Sequence, residues 1–196
     1  MLAVAILAAG ESRRMGTPKA LLHFHGKTFV DHLIDVTRHP RVAITRIVLG
    51  AGAADIQAKL HQDAGWFVLN EKWSLGQLSS IQAAIRSLPA GATDGLMLCP
   101  VDQPLISADI VAQLIARFYS SGKDIVLPTH KGRRGHPAIF RARVYEELLS
   151  ASPEIGARQV VWADPQRVEE FPTEEEGVVL NLNDPATLKN VLGTAD

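Results

Sequence analysis

A single cysteine, Cys99, occurs in 196 residues, so no disulfide can form within the chain. Charge of one sign is missing as well: 20 Lys and Arg stand against 21 Asp and Glu, a net charge of -1. Such a balance gives no overall pull towards nucleic acid or a membrane surface, although one basic loop could still hold a phosphate. No apolar run approaches the length that spans a bilayer. Internal repeats, low-complexity tracts and linkers are also lacking, so one domain over residues 1–196 is expected, long enough to bury a core. The opening residues MLAVAILAAGESRRMG carry a short apolar run without the charged region that begins a secretory leader. They read as a buried first strand, and a cytoplasmic protein is expected.

Hydrophobic residues make up 46% and charged residues 21%, a globular rather than disordered composition. Apolar runs at 2–7, 44–49, 66–69, 95–99 and 124–128 predict strands, as do 137–140, 167–171 and 178–182. Helical spacing predicts helices over 27–38, 54–64, 77–88, 143–149, 154–162 and 184–192. Another starts at an N-cap on Ser107 and reaches about Tyr119. Alternating strands and helices imply an α/β fold, an open, mostly parallel sheet with helices on both faces. In such sheets ligands sit beyond the carboxyl ends of the strands. The acidic run 174–176 reads as a solvated turn, and Cys99 as a small buried hydrophobe.

Beyond the first strand lies Leu7-Ala8-Ala9-Gly10-Glu11-Ser12-Arg13-Arg14-Met15-Gly16-Thr17-Pro18-Lys19. Small residues let backbone approach an anion, and successive N–H groups can form a concave anion site. Arg14 and Lys19 would add positive charge facing a triphosphate. The spacing is not that of a P-loop, because Lys19 does not directly follow Gly16. An ordinary loop with solvated arginines would have the same composition. Gly50-Ala51-Gly52-Ala53-Ala54-Asp55 begins like a dinucleotide fingerprint but puts an acid where the third small residue belongs. A turn and a helix start account for it more simply, and an oxidoreductase reading stays open there.

Asp102, in Pro100-Val101-Asp102-Gln103-Pro104, follows a buried strand. A hard oxygen there suits Mg²⁺, which favours one or two carboxylates plus substrate phosphates; a turn aspartate bonding nearby N–H groups is the plainer alternative. Asn70 and Trp73-Ser74-Leu75-Gly76, with Ser79 and Ser80 beyond, read as a pocket wall or as a serine-capped helix start. Arg133-Arg134-Gly135-His136-Pro137 sets two arginines beside a glycine, able to hold a phosphate. Asn183-Asp184-Pro185 has the form of a helix start, with Asn183 or Asp184 as N-cap. His23 and His25 have no further metal ligand at suitable spacing and read as surface residues on or near a strand.

The segment from Leu7 to Lys19 resembles L-A-[AG]-G-x-S-x-R-M-G-x-x-K, the pattern of the molybdenum cofactor nucleotidyltransferase family, cytidylyl and guanylyl branches included. Pro100 to Pro104, the Trp73–Ser80 segment and Arg134–Pro137 resemble its further motifs in the expected order. The resemblance implies a Rossmann-like nucleotidyltransferase fold, an NTP wrapped by Leu7, Ala8, Ala9, Gly10, Ser12, Arg14, Gly16 and Lys19, and catalytic roles for Lys19, Arg14 and Asp102. It implies a base and sugar pocket at Asn70, Gly76, Ser79 and Ser80, an acceptor site at Arg134, Gly135 and His136, and Mg²⁺ on Asp102 and Asn183. Asn181 stands where the family commonly has aspartate, and Asp184 replaces the usual threonine.

The Ala-Ala-Gly variant resembles the cytidylyl branch. The expected reaction is therefore transfer of CMP from CTP to a molybdopterin acceptor, with a molybdoenzyme maturation chaperone as a further partner and neither nucleic acid nor membrane. Use of GTP, a sugar phosphate acceptor, or a non-catalytic cofactor carrier are the alternatives.

Overall fold

The structure is a computed structural model that describes residues 1–193; residues 194–196 of the expected domain lie outside the described ones. In chain order the elements are β1 (Leu2–Ala8), β2 (His23–Phe24), β3 (Lys27–Thr28), α1 (Phe29–Val36), β4 (Val42–Leu49), α2 (Ala53–Lys59), β5 (Phe67–Leu69) and α3 (Gln77–Arg86). There follow β6 (Gly95–Pro100), α4 (Ala108–Ser121), β7 (Ile125–His130), β8 (Arg133–Arg134), β9 (Ala138–Arg141), α5 (Tyr145–Ser150), α6 (Arg158–Ala163), β10 (Val168–Pro172) and α7 (Pro185–Gly193).

Among the described residues, eight strands form one sheet, ordered β10-β7-β9-β6-β1-β4-β5 with β8 paired to β7. β1 lies parallel to β4 and β6, β4 to β5, and β7 to β10. Only β8 and β9 run antiparallel to their neighbours, so the expected mostly parallel sheet is present. From β1 the chain first builds outward through β4 and β5, then returns to add β6 on the other flank. That reversal makes the β1–β6 boundary a topological switch point, where crevices open at the strand ends.

β1 is buried along its whole length, as a strand covered on both faces requires. Leu2, Val4, Ile6 and Ala8 face a core shared with Phe29, Val30 and Leu33 of α1 and Ile110, Leu114 and Phe118 of α4. The alternate residues Ala3, Ala5 and Leu7 face α3 through Leu78, Ile81 and Ala84, with Leu148 of α5 and Val160 of α6 in the same layer. Helices therefore cover both faces. Ser107 caps α4 as expected, its hydroxyl accepting from the Ile110 N–H at 3.1 Å. No helix among the described residues is long and apolar enough to cross a membrane.

Several expected elements change shape. The apolar run 178–182 is not a strand: a 3-10 turn spans Glu176–Val178 and irregular chain follows. Val178 and Leu182 are fully buried, but their backbone bonds go elsewhere, Val178 C=O to His136 N–H and Leu182 N–H to Asp102 C=O. The helix expected from 154 starts only at Arg158, because Gly156 takes a left-handed φ of 78°. The acidic run at 174–176 is not wholly solvated, since Glu175 accepts the Ser107 hydroxyl at 2.6 Å and ties this segment to the start of α4.

Cys99 lies inside β6, and burial pushes its thiol pKa far up. It should therefore not react with Ellman's reagent at pH 8 in the native protein, and should react stoichiometrically in denaturant. Rapid labelling of the native chain would show that β6 is not covered.

Candidate active site at the β1–β6 switch point

Three segments meet beyond the carboxyl ends of β1 and β6. The ladder ends with Leu7 opposite Pro100, and the Val101 N–H then donates to the Leu7 carbonyl at 3.1 Å. Both chains so leave the sheet side by side. On the β1 side, Ser12 adopts a left-handed φ of 54° and Gly16 one of 66°, which fold the loop back on itself. The Ser12 Oγ accepts the Lys19 N–H at 3.0 Å, joining the loop's start to its end. On the β6 side, the Asp102 carbonyl accepts from Leu182 N–H at 2.7 Å, which brings in the third segment.

The Lys19 ammonium closes the centre. Its Nζ donates to Asn183 Oδ1 at 2.5 Å and lies 3.4 Å from Asp102 Oδ2. The lysine side chain is only 15% exposed and the aspartate 27%. Asn183 is free for this contact because its neighbour caps the next helix: Asp184 accepts the N–H and hydroxyl of Thr187, each at 2.9 Å. Those bonds lower the Asp184 pKa. Two oxygens that converge on one cation form a donor set that Mg²⁺ also accepts, with substrate phosphates supplying further ligands.

A cleft of about 510 Å³ opens over this centre. Leu7, Ala9, Gly10, Ser12 and Lys19 line one wall, Gly76 and Ser80 another, and Asp102, Arg134 and His136 a third. Arg14 and Asn183 face a neighbouring hollow shared with Ser12, Lys19 and Trp73. Gly135 faces an adjoining, more apolar hollow of about 560 Å³, whose wall also holds Gly76, Gln77, Arg134 and His136. Ala8 is buried in β1, and Gly16 ends the short turn in the loop.

Asn70 and Ser79 do not line the cleft; they brace its wall. The Asn70 amide donates to Ser79 Oγ at 2.8 Å and Ser80 Oγ at 3.0 Å, and its oxygen accepts from Lys72 N–H. Ser79 in turn donates to the Gly76 carbonyl at 2.7 Å. Gln77 and Gln103 line the cleft without having been singled out from sequence. Gln103 shares the proline-flanked turn of Asp102, and that was its one available signal.

The two arginines reach the cleft on a tight hairpin. Lys131 and Gly132 both have positive φ, 49° and 75°, the geometry of a two-residue turn that suits strand twist. Arg134 is held by Glu170 on β10, its Nε donating at 2.8 Å. Burial lowers the His136 pKa, with the Asp102 carboxylate opposing, so the imidazole is neutral near pH 7. The Gly50 turn is packed against the cleft wall: a Cβ on Gly50 would lie 2.5 Å from Trp73 Cβ and 2.7 Å from the Ala9 carbonyl. That glycine admits Trp73.

Gly135 makes one of the two tightest backbone approaches beside the site, the other being that of Gly177. A Cβ on Gly135 would sit 2.2 Å from the Val178 carbonyl oxygen, a backbone atom rather than the end of a flexible side chain. Gly135→Ala should push the 176–183 segment away and cost about 1–3 kcal/mol of stability, as overpacking does. Urea unfolding of the two proteins checks this, and an unchanged midpoint would mean that the segments are not in contact.

A family model described as MobA-like NTP transferase domain matches residues 4–168. The chain is 30% identical over 178 residues to nicotine blue oxidoreductase of Paenarthrobacter nicotinovorans, covering 87% of this chain and 86% of that protein. It is also 30% identical over 186 residues to a molybdenum cofactor guanylyltransferase of Cereibacter sphaeroides, covering 93% and 91%. Among solved structures, Rv0371c of Mycobacterium tuberculosis H37Rv matches with a TM-score of 0.83 at 23% identity over 98% of both chains. A complex of Rv0371c with manganese matches at 0.77 and 21%, again over 98% of each. These structures share the fold, and the matches in sequence go further: the chain belongs to the MobA-like NTP transferase family.

Proposed function

We propose that the chain, working as one domain, transfers a nucleoside monophosphate from an NTP to the terminal phosphate of a molybdopterin-type acceptor and releases pyrophosphate. The observation that carries this reading is the Lys19 ammonium at the β1–β6 boundary, which reaches Asp102 in the cleft and Asn183 in the hollow beside it. A carboxylate, an amide oxygen and a lysine gathered beside a glycine turn suit a metal-bound polyphosphate. The acceptor class comes from the family motifs and from the guanylyltransferase relative. CTP and GTP are both cytoplasmic nucleotides, which fits an enzyme working there.

In this reading an acceptor phosphate oxygen attacks the α-phosphorus in line, and the bond to the β-phosphate oxygen breaks. Lys19 and Arg14 offset triphosphate charge, and the backbone from Ala8 to Ser12 cradles it. Arg133 and Arg134 hold the acceptor's phosphate, and the neutral His136 positions the acceptor in the adjoining apolar hollow. Asp102 and Asn183 would hold Mg²⁺, which when bound would supply positive charge to offset the negative charge on the phosphates. Positioning and charge stabilisation suffice, and no covalent enzyme intermediate is needed. CTP is the preferred nucleotide in this reading because the Ala8-Ala9-Gly10 run beside the cleft resembles that of the cytidylyl branch. The guanylyltransferase relative is the reason to test GTP beside it.

A second reading has one observation in its favour, the nicotine blue oxidoreductase relative. One assay separates the two. The chain is incubated with molybdopterin, Mg²⁺ and either CTP or GTP, and pyrophosphate is measured; a parallel arm follows NADPH oxidation. Pyrophosphate release is expected, faster with CTP, and lost by about a hundredfold or more in a folded Asp102→Ala variant. Binding of molybdopterin without pyrophosphate would indicate a carrier. NADPH consumption alone would indicate an oxidoreductase. Full activity in Asp102→Ala would remove the metal assignment.

A further inference from the structure

We propose that Lys19 is the resident countercation of the Asp102–Asn183 pair, so that the free chain binds a divalent cation weakly and the pair opens to metal when a triphosphate draws the ammonium away. The proposal rests on the metal reading of Asp102 and Asn183 given above.

The Nζ of Lys19 lies 2.5 Å from the amide oxygen of Asn183 and 3.4 Å from a carboxylate oxygen of Asp102. It therefore occupies the point at which those two oxygens converge. A divalent cation entering there would meet a positive charge a few ångströms away, in a site where the lysine is 15% exposed and screening is weak. The two cations compete for one position.

The protein offers a metal little else. Among the described residues no group of three or more His, Cys, Asp or Glu could hold one. One carboxylate and one amide are a poor chelate on their own. A triphosphate changes both terms together, because its oxygens complete the metal's shell and its charge attracts the ammonium. The Lys19 backbone is tethered by the 3.0 Å bond to Ser12, so the flexible four-carbon stem can make the exchange while the loop stays in place.

This role separates from simple phosphate binding. A lysine that only contacts phosphate should leave metal binding unchanged in the absence of nucleotide. Free Mn²⁺ is titrated into the intact chain without nucleotide, and the unbound ion is read by electron paramagnetic resonance. Lys19→Met should bind Mn²⁺ about tenfold more tightly than the wild type, and Lys19→Met combined with Asp102→Asn should lose that gain. Nucleotidyl transfer by Lys19→Met should fall, so that metal affinity and activity move in opposite directions.

A folded Lys19→Met chain that binds Mn²⁺ no more tightly than the wild type overturns the proposal. If circular dichroism shows that variant unfolded, Lys19→Gln carries the same comparison. A gain in affinity that survives Asp102→Asn places the ion elsewhere, and in that case it is the underlying metal reading that fails.

Discussion

The Val101 N–H to Leu7 carbonyl bond extends the β1–β6 ladder one step past its last strand pair, and the geometry of the cleft depends on it. Because the two strands run parallel, their carboxyl ends emerge on one edge, and the loop carrying Lys19 opens beside the turn carrying Asp102. Register is the constraint behind this. β1 buries alternate residues in two different cores, and a slip by one residue would exchange its large and small faces. Hydrophobic packing deep in the sheet thereby sets the distance between two charged groups outside it.

The third segment joins by a different principle. Residues 176–183 make no ladder, yet they are locked by close backbone approaches at both sides. Gly177 packs against the Leu105 carbonyl as Gly135 packs against that of Val178. Bonds from His136 N–H to Val178 and from Leu182 N–H to Asp102 secure the same strip. The strip beside the cleft is thus held in place by main-chain contacts, while Lys19 and Arg133 reach into the cleft on flexible stems. Such a division lets charge rearrange around a ligand without remaking the site.

What could be read from the residues follows the range of the interactions concerned. β1, β6 and the Ser107 cap of α4 were legible because buried runs and capping are local in sequence. The place of Asp102 was legible because a residue just past a buried strand lies at the sheet edge, whereas its role was implied only by the resemblance. The strand expected at 178–182 was not there, since an apolar run shows that residues are buried and not which partners their N–H and C=O groups find. Asn70 and Ser79 looked like pocket residues but bond to one another, and sequence does not show where an amide points. The contacts of Lys19 lie 83 and 164 positions away, beyond any local pattern, and the resemblance to family motifs implied only that these residues serve one site.

Seen as a charge balance, the asparagine at 183 has a physical sense. With asparagine there, Lys19 and Asp102 cancel, and the centre of the cleft is neutral. An aspartate would leave an extra negative charge where a polyanion must enter, and only a metal already in place could offset it. The amide keeps an oxygen available to a cation while removing that repulsion, at the expense of weaker metal binding. Weak binding by the protein alone is tolerable if the nucleotide brings most of the ligands itself. On this argument the asparagine and the lysine are two halves of one arrangement: neither ligand pair nor countercation commits the site before the triphosphate arrives.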